Sequence, residues 1–125
     1  MTTSGFDRRK AKRREVLDQF SFYICVPKLG YARHKVNDVS ELGIGFTIET
    51  MGEFKLAQNE VCELLLYLNQ SLYLKLKIEA VRLIETEHTQ EVGAIFQDTH
   101  TDVFQTLLTL VKLIDQLTES AEIVT

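Results

Sequence analysis

The sequence predicts a mainly β protein: a six-stranded antiparallel β-barrel with a C-terminal α-helix and a flexible basic N-terminal segment. Three observations carry this prediction. Short runs of alternating apolar residues recur between residues 20 and 98, the alternation changes phase inside one of them, and helical periodicity appears only after residue 99.

The segment from Asp7 to Glu15 has neither apolar periodicity nor turn residues, so residues 1–19 are expected to be mobile until a partner orders them. From Phe20 the period becomes two, with Phe20, Phe22, Ile24 and Val26 on one face and Ser21, Tyr23 and Cys25 on the other. Pro27 and Gly30 close this strand with a turn. Tyr31 to Val39 alternates more weakly and holds Arg33, His34, Lys35, Asn37 and Asp38, the polarity of an edge or a site. After the turn Ser40-Glu41-Leu42-Gly43, the residues Ile44, Phe46 and Ile48 resume alternation.

Beyond a loop at residues 50–59, Val61 to Leu68 and Leu72 to Ile84 flank the polar connection Asn69-Gln70-Ser71, as in a hairpin. Leu72, Leu74, Leu76, Ile78 and Ala80 share a face before the phase slips to Val81 and Leu83. This predicts a β-bulge near Ala80, which lets a sheet curve and close. Val92 to Gln97 is the sixth strand. Thr99 to Asp102 offers helix-start chemistry ahead of Val103, Leu107, Leu110, Ile114 and Leu117, a stripe widened by Phe104, Leu108 and Val111. Such a stripe suits a helix packed on its own barrel and equally one that pairs with a second subunit. Residues 20–98 are thus read as the barrel and 99–125 as helix and tail of a single domain.

Composition narrows the function. At 125 residues with 45% hydrophobic content, the chain can bury one core without disulfides or metal. No run approaches the roughly 18 apolar residues of a membrane span, and Glu15 and Asp18 follow the basic start where a signal peptide would be apolar, so a cytoplasmic location is expected. Cys25 and Cys62 lack metal-ligand spacing and are expected as buried, reduced thiols on strands; neither a metal nor a cofactor is expected. Residues 1–14 carry net charge +5 and the remainder −9. An acidic body repels a long polyanion, so no nucleic acid is expected and a compact anion fits better. Tyr31 is the only ring near the polar strand, which also counts against base stacking.

Two motifs sharpen this: Arg8-Arg9-Lys10-Ala11-Lys12-Arg13, reading RRxxxR, and Asp38-Val39-Ser40-Glu41-Leu42-Gly43, reading DxSxxG. In this order, one strand apart and followed by alternating strands and a terminal helix, they resemble the two signatures of the PilZ family. The resemblance spans nearly the whole chain. It implies a receptor for cyclic di-GMP, with Arg8, Arg9 and Arg13 contacting phosphates and bases and with Asp38, Ser40 and Gly43 forming the loop beneath.

The chemistry agrees with that assignment. A guanidinium grips phosphate oxygens bidentately, addresses guanine O6 and N7, and stacks on the base plane. A carboxylate at Asp38 can accept from the guanine N1–H and amino group, and Ser40 can add a bond to the same edge. Gly43 suits a left-handed turn or a close approach of main chain to ligand. His34, Asp38 and Ser40 share one side of a strand, but no nucleophile elbow or oxyanion hole accompanies them, so no enzyme is expected; His34 and Lys35 are read as rim residues. The expected output is a change in the arginine segment read by an unidentified effector protein, with a homodimer through the C-terminal helix as a further possibility. The alternative is a PilZ-like adaptor that works through protein contacts without nucleotide.

Overall fold

A computed structural model describes residues 5–49 and 55–122, the side chains of residues 5–11 excepted. The elements are α1 (Gly5–Gln19), β1 (Tyr23–Cys25), a 3-10 turn (Pro27–Leu29), β2 (His34–Val39), β3 (Gly43–Glu49), β4 (Val61–Tyr67), β5 (Tyr73–Glu85), β6 (Thr89–Phe96) and α2 (Asp102–Ser120). The six strands close into an antiparallel barrel in the order β1-β2-β3-β6-β5-β4, β1 sealing it by pairing with both β2 and β4. Ile24, Val36, Phe46, Ile48, Leu64, Leu66, Ile78 and Val92 fill the interior.

Two bulges shape the barrel. The expected one falls between Ala80 and Arg82 of β5, where two residues oppose one on β6. A second, between Val36 and Asp38 of β2, is not read from the sequence. Each keeps two apolar side chains inside at a spacing of three, Ala80 with Leu83 and Val36 with Val39, and so turns both intervening residues outward.

Two local expectations are corrected, and two others hold in part. Residues 5–19, expected to be mobile until a partner orders them, form α1, whose described apolar residues Val16 and Leu17 are buried in the core cluster. The strand expected from Phe20 to Val26 is reduced to Tyr23–Cys25, because Ser21 takes a left-handed turn at φ 56°. Cys25 is buried, as expected of its thiol, with its Sγ 3.6 Å from the Tyr31 carbonyl oxygen, whereas Cys62 is half-buried. The helix buries Phe104, Leu107, Val111 and Ile114 of the expected stripe and adds Thr118, while Val103 at the head of the stripe stays exposed. Phe104 anchors the helix by meeting Phe96 edge to face at 5.6 Å.

β6 starts three residues before the expected Val92. Gln90 is drawn fully inside, accepting from the Leu56 N–H at 2.9 Å and donating to the Leu56 carbonyl at 2.8 Å. Thr101 caps α2 by accepting from the Phe104 N–H at 3.2 Å. α2 packs on β5 and on α1, and α1 also reaches β2.

Candidate functional site

The outer face of β3 and β6 is bare at its centre, where Gly45 and Gly93 are direct cross-strand partners. The two bulges raise walls beside this floor: Asn37 and Asp38 from β2, Val81 and Arg82 from β5. The result is an open cleft of about 430 Å³ whose lining also includes Arg14, Ser40, Gly43 and Glu91. Gly93 has a packing role, since a Cβ there would lie 3.3 Å from the Arg82 Cβ.

The DxSxxG loop leads from β2 into this floor. Ser40 Oγ accepts from the N–H groups of Leu42 and Gly43 at 3.4 and 3.3 Å, so its hydroxyl organises its own turn. Gly43 is required for a reason the sequence reading did not foresee: a Cβ would stand 2.2 Å from the Ala94 carbonyl oxygen. The close approach is therefore to β6, and among the described glycines the left-handed conformation belongs to Gly30, not Gly43. Asp38 projects from the bulge toward Arg13, with 3.5 Å between its Oδ1 and Nη1.

Arg13 enters from α1. It donates to the Val39 carbonyl at 3.4 Å and places Nη2 2.9 Å from Asp115 Oδ1 on α2. Arg14, a basic residue outside the motif, donates from Nε to the Asn37 carbonyl at 3.2 Å. Asn37 is held in turn by its Nδ2 donating to Thr47 Oγ1 at 2.7 Å. The structure thus brings Arg13, Asp38, Ser40 and Gly43 together, while the side chains of Arg8 and Arg9 lie outside the described residues. Sequence reasoning missed Arg14, Asn37 and Arg82. The available signal was the three-residue spacing of Val36/Val39 and Ala80/Leu83, which turns two consecutive residues to one side.

His34 is not a rim residue. It points inward from the start of β2, 8% exposed, with Nε2 buried and unbonded; burial pushes its pKa below the usual 6.5, opposed by the nearby Glu49. With His34 turned inward, Asp38 directed to Arg13 and Ser40 engaged in its turn, the three do not form a relay. Lys35 is exposed and faces Asp18 at 3.8 Å.

Two other features lie apart from the arginines. A cleft of about 560 Å³ opens between β4, β5 and the start of α2. Its Lys75 and Lys77 face Glu63 at 3.4 Å and Asp98 at 3.9 Å, so its cations already oppose carboxylates. Tyr31 is not the only ring near β2: Tyr23 stacks on Tyr67 at 4.7 Å, Tyr67 meets Tyr73 at 5.0 Å, and the Arg33 guanidinium lies 4.4 Å over Tyr23. These rings turn faces to one another and to Arg33, as in cross-strand packing. Among the described residues no helix is long and apolar enough to cross a membrane, and no cluster of three His, Cys, Asp or Glu is grouped as a metal site requires.

No family model matches the chain, and no curated protein matches it. Among solved structures, the fold is similar to K. pneumonia MrkH in its complex with c-di-GMP, with TM-score 0.67, 13% identity, and coverage of 83% of this chain and 50% of that one. It is similar to the same protein in its apo state, with TM-score 0.64, 14% identity, and coverage of 81% and 49%. YcgR from Escherichia coli, also in complex with c-di-GMP, gives TM-score 0.59, 12% identity, and coverage of 78% and 42%. The chain spans about half the length of these proteins, and at such identities the likeness is one of fold.

Proposed function

We propose that this chain is a PilZ-type receptor that binds cyclic di-GMP in the cleft over Gly45 and Gly93. One observation carries the reading. Two bulges and the motif loop bring Asp38, Ser40, Asn37 and Arg82 around a bare glycine floor, with Arg14 lining it from α1 and Arg13 beside it at Asp38. The similarity to MrkH and YcgR, both solved with c-di-GMP, supports the choice of ligand.

In this reading Arg8, Arg9 and Arg13 take phosphates and guanine edges, Asp38 accepts from a guanine Watson–Crick edge, and Ser40 and Gly43 hold the loop in place. Arg82 adds a cation on the opposite wall, so a ligand with two phosphates and two guanines is gripped from both sides. The protein acts in the cytoplasm, without catalysis or cofactor, and passes the change in its arginine segment to an effector protein.

Isothermal titration of the chain with cyclic di-GMP, beside GTP and cyclic di-AMP, tests this directly. A charged hydrogen bond is worth about 1.5–3 kcal/mol, so Arg9→Ala or Arg13→Ala should weaken binding at least about tenfold. A flat wild-type trace removes the receptor reading.

A second reading has one observation in its favour. Leu113 and Val103 of α2 remain 50% and 37% exposed. An adaptor that ignores nucleotide would use this face for a protein partner or a second copy, and a concentration-dependent mass in light scattering would favour the dimer.

A further inference from the structure

Arg13 ties three elements together. From α1 it faces Asp38 on β2 at 3.5 Å, bonds the Val39 carbonyl at 3.4 Å, and meets Asp115 on α2 at 2.9 Å. Its side chain is 15% exposed. Yet Nε of Arg13 and the Oδ1 atoms of Asp38 and Asp115 are buried without hydrogen-bond partners. The Asp115 contact is therefore an attraction of charges off the N–H axis, and the buried network is half satisfied. Such a network is readily replaced by one that pairs every group.

Residues 12–19 of α1 have few other ties among the described residues. Among the described residues of this stretch, Val16 and Leu17 are buried, and its polar ties include the exposed Arg14–Asn37 bond and the Lys35–Asp18 pair at 3.8 Å. Exposed pairs of this kind contribute little. Among the described side chains, Arg13 is the one whose ion pair joins α1 directly to α2.

Resting on the receptor reading above, we infer that Asp115 is an internal competitor for the ligand: in the free chain its carboxylate holds Arg13, and with it α1, against α2, and an anionic ligand in the cleft takes Arg13 over and releases α1 from α2. A phosphate accepts two parallel N–H bonds from the guanidinium fork, which the off-axis carboxylate does not. A phosphate beside Arg13 also repels Asp115, so occupancy of the cleft loosens the same contact twice over. The signal then arrives at α2, the helix bearing exposed Leu113.

The test compares the full chain with Asp115→Asn, Asp115→Ser and Asp102→Asn. The last removes the same charge from the exposed first turn of α2, away from Arg13. Both Asp115 variants should bind cyclic di-GMP about three- to tenfold tighter than wild type, while Asp102→Asn should not. In ligand-free protein, amides of residues 12–19 should exchange faster in the Asp115 variants, approaching the rate of liganded wild type. If wild type binds and the Asp115 variants bind no tighter, or if Asp102→Asn matches them, the competitor role is refuted and the receptor reading stands. Unchanged exchange in α1 equally refutes the latch. Absence of binding by wild type sinks the receptor reading and ligand release together, whereas faster ligand-free exchange would still mark Asp115 as the clamp on α1.

Discussion

Gly45 and Gly93 stand directly opposite each other across the β3/β6 ladder and leave the centre of the cleft without side chains. A Cβ at Gly45 would meet nothing nearer than the Val92 carbonyl oxygen at 3.8 Å, so the fold tolerates one while the floor does not. Gly45→Val suits a strand, and its stability should stay within about 1 kcal/mol of wild type in urea unfolding. Calorimetry should show its cyclic di-GMP binding abolished. Retained affinity would move the ligand off this floor, with the cleft beside Lys75 and Lys77 next in line.

Gly43 behaves oppositely, though it is only two residues away. Its Cβ would collide with the Ala94 carbonyl oxygen at 2.2 Å, a backbone atom held in the β6 ladder. Gly43→Ala must displace that strand or its own turn, and overpacking of this type costs about 1–3 kcal/mol. Gly45→Ala is the matched control and should unfold near wild type. Equal midpoints for the two alanine variants would contradict the close approach.

Much of this arrangement is legible in the sequence, because one-sided burial writes itself as period two. The alternation of Ile44, Phe46 and Ile48 and the slip after Ala80 suffice for a barrel that closes. The motif residues Arg13, Asp38, Ser40 and Gly43 also lie close to one another in the fold. What was not legible depends on partners distant in sequence. The polarity of Thr89-Gln90-Glu91 hides a strand start, because nothing local reveals that Gln90 satisfies Leu56. The helical form of α1 is hidden likewise, since its fastening to Asp38 and Asp115 comes from two remote elements.

Gln90 gives a stability prediction from that long-range pairing. Its amide closes a two-bond ring on the backbone of Leu56, itself 2% exposed. Gln90→Leu leaves a buried N–H and a buried C=O unbonded. Each such group costs about 1–3 kcal/mol, so the variant should lose about 2–6 kcal/mol in urea unfolding. A loss below about 1 kcal/mol would mean that the loop at Leu56 re-pairs elsewhere.

His34 predicts the pH dependence of stability. Its imidazole is buried, its Nε2 has no hydrogen bond, and burial lowers its pKa below 6.5 against the opposing pull of Glu49. The unfolded chain, with an ordinary imidazole, therefore binds the proton at a higher pH than the folded chain does. Stability from this residue is complete above the unfolded value and is lost as pH falls through it toward the folded value. Between about pH 7.5 and 5.5 the urea midpoint of wild type should drop more than that of His34→Gln, which has no proton to gain. Carboxylates titrating in the same window affect both proteins alike, so the difference between the two slopes isolates the histidine. Parallel slopes would place His34 in contact with water and undo its assignment to the barrel interior.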